Sequence, residues 1–181
     1  ISNAPEQGPN IMLSIKPLGD FSSRAIETGP GATAYIDGPY GVFSIDSHPQ
    51  ATGFAMIAGG VGITPMMSNL HAMAARGDRR PAVLFDANPA WEEAAFRDEL
   101  EELSSRMDLK VIHILEDPPE KWEGEEGFLT REILERHLPE NRDGFRYFLC
   151  GPTPMTEAAR AALAALGVPL AHIDNEIFDM V

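Results

Sequence analysis

The chain has 181 residues, 44% hydrophobic and 23% charged, which is enough to bury a core and ordinary for a globular protein. Its formal net charge of −14 argues against nucleic acid and anionic membrane surfaces, since both call for basic patches. A single cysteine, Cys150, excludes an internal disulfide and a four-cysteine metal or iron–sulfur cluster, and with no membrane-length apolar run and no secretory signal the expected location is cytoplasmic, without direct membrane insertion.

Residues 1–47 read as short strand-like pieces broken by turns: Asn10 to Lys16, then Ala32 to Asp37, punctuated by Pro30-Gly31 and Gly38-Pro39. Two or three strands neither close a barrel nor hold a sheet alone. This stretch is expected to lean on the rest of the chain, or to be the last part of a larger domain. From residue 48 onward apolar strands alternate with amphipathic helices. Strands are expected at Phe54–Ala58, Ala82–Ala87, Leu109–Leu115, Arg146–Cys150 and Ala171–Ile177, and helices at Met66–Arg76, Glu92–Arg106, Thr130–His137 and Met155–Leu166. Such alternation predicts an α/β domain with a five-stranded, doubly wound parallel sheet over 48–181.

The stretch "FAMIAGGVGITPM", Phe54 to Met66, carries the first chemical signal. An uncharged apolar run reads as a strand buried on both faces. The glycines after it permit positive φ and let a ligand approach bare backbone. Thr64 suits an N-cap and Pro65 the first helical position. Strand, bare turn and helix start make a socket for an anion such as a pyrophosphate; a tight strand-to-helix turn with no ligand is the other reading. Pro65 stands where the usual dinucleotide fingerprint has its third glycine.

Four motifs then occur in order: "GPYGVF" (38–43), "AGGVGITPM" (58–66), "CGPTPM" (150–155) and "EIFDMV" (176–181). With these the chain resembles the ferredoxin-NADP+ reductase-like flavoenzymes over nearly its whole length. It looks like their NAD(P)-binding domain (48–181), preceded by the C-terminal part of their FAD-binding antiparallel β-barrel (1–47). Its texture is nearest the ferric reductase and NADPH oxidase-like branch. The resemblance implies hydride transfer from NADH or NADPH to FAD, then electrons to a haem, iron or iron–sulfur acceptor. In that branch the acceptor is often a haem in a membrane domain. The other reading is a nucleotide-binding or regulatory electron-transfer module with no activity of its own. FAD binding by this chain is expected to be weak or absent.

The same resemblance assigns residues. Ser2 in "ISNAPE" matches a hydroxyl near the flavin. Ser22 and Ser23 in "GDFSSRAI" match a helix start facing the flavin pyrophosphate, although plain helix capping explains them equally. Gly38, Pro39, Tyr40 and Gly41 form the turn between the two domains, beside the flavin. The nicotinamide nucleotide would lie across Gly59, Gly60, Val61, Gly62, Ile63, Thr64 and Pro65, and across Gly151, Pro152 and Met155. Thr64 and Cys150 would flank the carbon that gives up hydride; read as a residue alone, Cys150 is a small buried hydrophobe. Glu176 and Phe178 carry over as an acid and an aromatic near the flavin, but the chain runs on to Val181, so Phe178 is not a terminal ring and a core role stays open. At the end of the second strand, Asp86 could accept bonds from a ribose 2′-hydroxyl, with Asn88 beside it. The sequence after it has no cation until Arg97, which leans the choice to NADH. Asp86 as an ordinary strand-end residue, with Arg79-Arg80 folding nearby, is the alternative.

Other features point to structure. The five histidines have no metal-ligand spacing. The acids between Glu92 and Glu102 form the solvated side of a helix whose apolar positions are Ala95, Phe96, Leu100 and Leu103. Trp122, in "EDPPEKWEGEEG", is expected to pack over the sheet edge.

Overall fold

The computed structural model describes residues 1–25, 27–38 and 40–178. Its centre is a parallel sheet with strands β1 (Gly53–Gly59), β2 (Ala82–Ala90), β3 (Leu109–Asp117), β4 (Glu125–Glu126), β5 (Phe145–Gly151) and β6 (Ile173–Ile177). Their spatial order is β4-β3-β2-β1-β5-β6. The chain therefore builds outward from β1 through β2 and β3, then returns to the other side of β1 with β5. All five predicted strands form. The sixth, β4, pairs only Glu125 and Glu126 with Ile114 and Leu115, and two consecutive glutamates carry no strand signal in a sequence.

Both faces of the sheet are covered, as a parallel sheet requires. Along β1 the side chains alternate. Phe54, Met56 and Ala58 pack with Met66, Leu70 and Met73 of α2 (Ile63–Arg76) and Leu100 and Leu103 of α3 (Arg97–Arg106). Ala55 and Ile57 face the other way, into a core with Ile133 and Leu134 of α4 (Arg131–His137) and Ala159 and Leu163 of α5 (Thr153–Ala165). The Thr130 hydroxyl accepts a bond from the Ile133 amide and starts α4. The predicted helix from Glu92 instead breaks into a one-turn 3-10 helix, Trp91–Glu93, and α3. Between them Phe96 takes a left-handed backbone, φ 60°.

Among the described residues of 1–47 the expected barrel strands form no ladder. The regular elements there are the helix α1 (Asp20–Ala25) and single turns at Pro5–Gln7 and Ile45–Ser47. A strand needs a run of neighbouring N–H and C=O groups; the Ser2 amide reaches the Met12 carbonyl at 2.9 Å, but no ladder grows from it among the described residues. Its ends, by contrast, are sewn to α2. Ala4 and Ile45 lie in the α2 core, the Ser68 hydroxyl donates to the Asn3 carbonyl at 2.9 Å, and the Ile45 amide donates to the Asn69 side chain at 3.1 Å. Between them Phe21 and Tyr35 stand 87% and 96% exposed. No helix among the described residues is long and apolar enough to cross a membrane.

Candidate functional site

The site grows from the end of β1. Gly60 turns the chain with φ 53°, Gly60–Gly62 make one 3-10 turn, and α2 begins at Ile63. The N-cap is Gly62 rather than Thr64, with no side chain bonded to the helix start. Thr64 and Pro65 therefore occupy the second and third helical positions. Pro65 still costs nothing there, because the first four N–H groups have no intrahelical acceptor. The Ile63 amide is bonded to the Gly60 and Val61 carbonyls of that turn, so what the helix start offers an anion is the positive end of its dipole. Gly62 is required by packing: a Cβ there would overlap the Cys150 carbonyl of β5.

Beside this turn lies a groove of about 440 Å³ at the C-terminal strand ends. It sits where strand order reverses between β1 and β5, the place where open parallel sheets bind ligands. Gly59 and Gly60, Asn88 after β2's paired core, Glu116 of β3, and Pro152 and Met155 at the start of α5 line it. Lys16 reaches in from the N-terminal segment; its ammonium lies 3.9 Å from where a Cβ would stand on Gly60. The Asn88 amide nitrogen is buried without a hydrogen-bond partner. Phe128, 69% exposed, stands at the rim.

A smaller cavity, about 280 Å³, adjoins the groove and shares Lys16 and Gly60 with it. Val61, Ile63, Thr64, Glu93 and Phe96 complete most of its wall. Thr64 thus sits at the end of the same path that passes Gly60. Cys150 does not line either space. Its thiol is buried beneath α2 in the core, with Phe178 packed against that core. Burial, reinforced by the charge of Glu176, pushes the Cys150 pKa up to about 12. It is a neutral thiol in the floor under the junction rather than in the wall of either cavity. Glu176 pairs in register with Cys150, and its carboxylate lies 3.8 Å from the Cβ position of Gly41. Gly41, Glu176, Cys150 and Phe178 are therefore neighbours at the junction of the two segments.

Asp86, expected to accept from a ribose hydroxyl, is 1% exposed; one carboxylate oxygen meets His113 Nδ1 at 3.1 Å and the other, Oδ1, is buried without a partner. The register explains it. Ala58 pairs with Asp86 and Gly59 with Ala87, so β1 still covers Asp86, and β2 runs past the last β1 pair from Asn88 onward. Arg97 stacks on Trp91, 4.8 Å from the ring, away from the groove. Arg80 pairs with Asp78 and lies over Phe54, at the opposite end of the sheet.

The remaining expected flavin contacts are internally bonded. Ser2 donates to the Met12 carbonyl and accepts from Ser14. Ser22 accepts the amides of Leu18 and Gly19, at 2.8 and 3.0 Å, and donates to the Gly19 carbonyl. Ser23 is exposed on α1, and the Ser23 amide bonds Gly19. The Tyr40 hydroxyl donates to Asp37 beside Gly38. Pro39 and residues 179–181 lie outside the described residues.

Lys16, Glu116 and Phe128 are site residues that the sequence does not announce. The strand-end rule that singles out Asp86 at the second strand also fits the third, where Glu116-Asp117 ends an apolar run, and there it finds Glu116. Lys16 and Phe128 carry no motif of their own.

The chain matches the model of the oxidoreductase NAD-binding domain over residues 56–161. It belongs to that family. This NAD-binding chain is 30% identical over 177 residues to the NADH-cytochrome b5 reductase 1 of Pyricularia oryzae and 35% identical over 176 residues to that of Debaryomyces hansenii. Each alignment covers 93% of this chain but only 57% and 62% of the relative. The cytochrome b5 reductase domain of Ulva prolifera nitrate reductase superposes with a TM-score of 0.77, at 26% identity, over 87% of this chain and 64% of that one. The six-stranded parallel sheet is thus that of an NAD-binding domain.

Proposed function

We propose that the chain is the nucleotide-binding part of a cytoplasmic NADH-dependent flavoprotein reductase, whose electrons leave to a haem protein. The named relatives support the reaction class. The observation that carries the nucleotide site is the convergence of three features on the groove and the cavity beside it: the positive end of α2, the Lys16 ammonium and the partnerless Asn88 amide. These fit a dinucleotide. Lys16 and the positive end of α2 hold the pyrophosphate. Asn88 and Phe128 hold the adenosine end, an aromatic face being a natural surface for a base. Thr64, at the end of the smaller cavity, takes the nicotinamide end. Glu116 is the carboxylate that lines the groove, so it disfavours a 2′-phosphate and favours NADH.

When bound, the nicotinamide nucleotide supplies hydride and a flavin accepts it; the protein's share is position and water exclusion. The described residues do not by themselves fit a flavin phosphate or ring as donors, because the Ser2 and Ser22 hydroxyl hydrogens are already given to the Met12 and Gly19 carbonyls. Gly41, Glu176 and Phe178 are the groups left to border it.

The test is calorimetric titration of the full chain with NADH and NADPH. Saturable NADH binding, weakened about tenfold or more by Lys16→Met as a charge-assisted phosphate contact is lost, is the expected result. No heat with either dinucleotide overturns the proposal. The exposed Phe21 and Tyr35 favour, as a second reading, a module that binds nucleotide but turns over only with further protein surface beside it. NADH binding without NADH-dependent reduction of ferricyanide would single out that reading.

A further inference from the structure

Lys16 stands between the two cavities, and its ammonium already has an anion. Glu93 Oε2 lies 3.5 Å away, on the side of the smaller cavity. The two partners are unequally held. Glu93 ends the turn Trp91–Glu93, and the Trp91 ring meets His113 edge-on at 5.0 Å. Arg97 stacks on that ring at 4.8 Å and donates to the Trp91 carbonyl. His113 in turn is fixed by buried Asp86. Lys16, by contrast, is a flexible four-carbon chain on a segment whose neighbours Ile15 and Leu18 are exposed.

We infer that Glu93 is an internal stand-in for phosphate: it holds Lys16 when no dinucleotide is bound, and the lysine swings from Glu93 to the pyrophosphate on binding. The inference rests on the nucleotide site proposed above and adds a residue that lowers its affinity. The swing keeps the ammonium paired in both states, so it is never left without an anion. It also makes binding an exchange of ion pairs, and a nucleotide must out-compete a carboxylate. A pyrophosphate does so through its greater charge, which the positive end of α2 also favours.

The experiment is a double-mutant cycle on the full chain: wild type, Glu93→Gln, Lys16→Met and the double variant, each titrated with NADH and with inorganic pyrophosphate. The two side chains are 39% and 47% exposed, so the exchange is worth what a solvated ion pair is worth. Glu93→Gln should tighten NADH and pyrophosphate about two- to fivefold at low salt, with the gain shrinking as salt rises. In the Lys16→Met background the gain should vanish. An equal gain in both backgrounds would make Glu93 a source of general repulsion and overturn the inference. So would an unchanged or weaker affinity in Glu93→Gln. NADH binding that Lys16→Met leaves intact would instead remove Lys16 from the nucleotide site, which is the failure of the earlier proposal. Melting curves by circular dichroism confirm that each variant is folded.

Discussion

Two carboxylates near the ends of neighbouring strands illustrate how little separates a ligand contact from a core contact. Asp86 and Glu116 both end apolar runs, and a sequence offers no reason to prefer one. Position decides: β1 runs one residue beyond Asp86, whereas Glu116 follows the last pair with β4, at Leu115, and is exposed, although β2 pairs on to Asp117. Substituting each residue separates the roles. Glu116→Ser should narrow the preference for NADH over NADPH by about tenfold, near 1.4 kcal/mol, without a change in stability. Asp86→Ala should leave that ratio alone and destabilise the fold by about 1–2 kcal/mol, since it takes the hydrogen-bond partner from half-buried His113. Dissociation constants for both coenzymes, with urea unfolding of each variant, check this. A coenzyme ratio that moves with Asp86 and not with Glu116 would restore the reading that strand-end position alone suggested. Lys16 is beyond sequence reasoning for a different reason. It reaches the turn from 44 positions upstream of Gly60, and no local pattern encodes that contact.

Among the elements, the most apolar were the most legible. β1, buried at every position, and the turn after it declare themselves through composition, as does the alanine-rich α5. The boundaries that fail are those set by tertiary contact: α2 starts at Ile63 because Gly62 can sit against the Cys150 peptide, and β4 exists only because β3 has an edge to offer. The start of α2 is therefore where a methyl group should do most harm. Gly62→Ala puts a Cβ into the Cys150 carbonyl, where backbone must move rather than a side chain. A loss of about 1–3 kcal/mol is expected from overpacking, together with weaker NADH binding as the α2 amides shift. Gly77, which ends the same helix with φ 63° and open space around it, is the control. Gly77→Ala should cost about 1 kcal/mol from the strained backbone alone, with NADH affinity unchanged. Equal effects on binding from the two substitutions would refute a specific role for the helix start.

At the scale of the whole molecule, alternation makes the sheet readable, but not the 1–47 segment, whose expected strands needed partners the pattern could not show. What binds this segment to the sheet is partly electrostatic, and that gives the molecule a pH dependence. Hydrogen bonds from Arg76 lower the pKa values of Asp46 and Glu6, joining both ends of the segment to α2. Elsewhere Arg80 lowers Asp78, while His137 and then Arg136 lower Glu125. A carboxylate whose folded pKa is depressed binds its proton more readily when unfolded. Its contribution is complete above the ordinary carboxylate range and disappears as pH falls through the lower folded value. Acid also relieves the repulsion of a chain at −14, which pulls the other way until the charge nears zero around the pI of 4.6. The urea midpoint should therefore hold or rise slightly from neutrality to about pH 5 and then drop steeply below about pH 4. Asp46 is 61% exposed and solvent weakens its share, whereas Glu125, at 15%, keeps more of its own. Glu125→Gln should thus be less stable than wild type at pH 7, with the deficit closing as acid protonates the native carboxylate. A deficit of the same size at neutral and acid pH would show that Glu125 acts through packing, and the acid sensitivity would then have to come from the other three carboxylates.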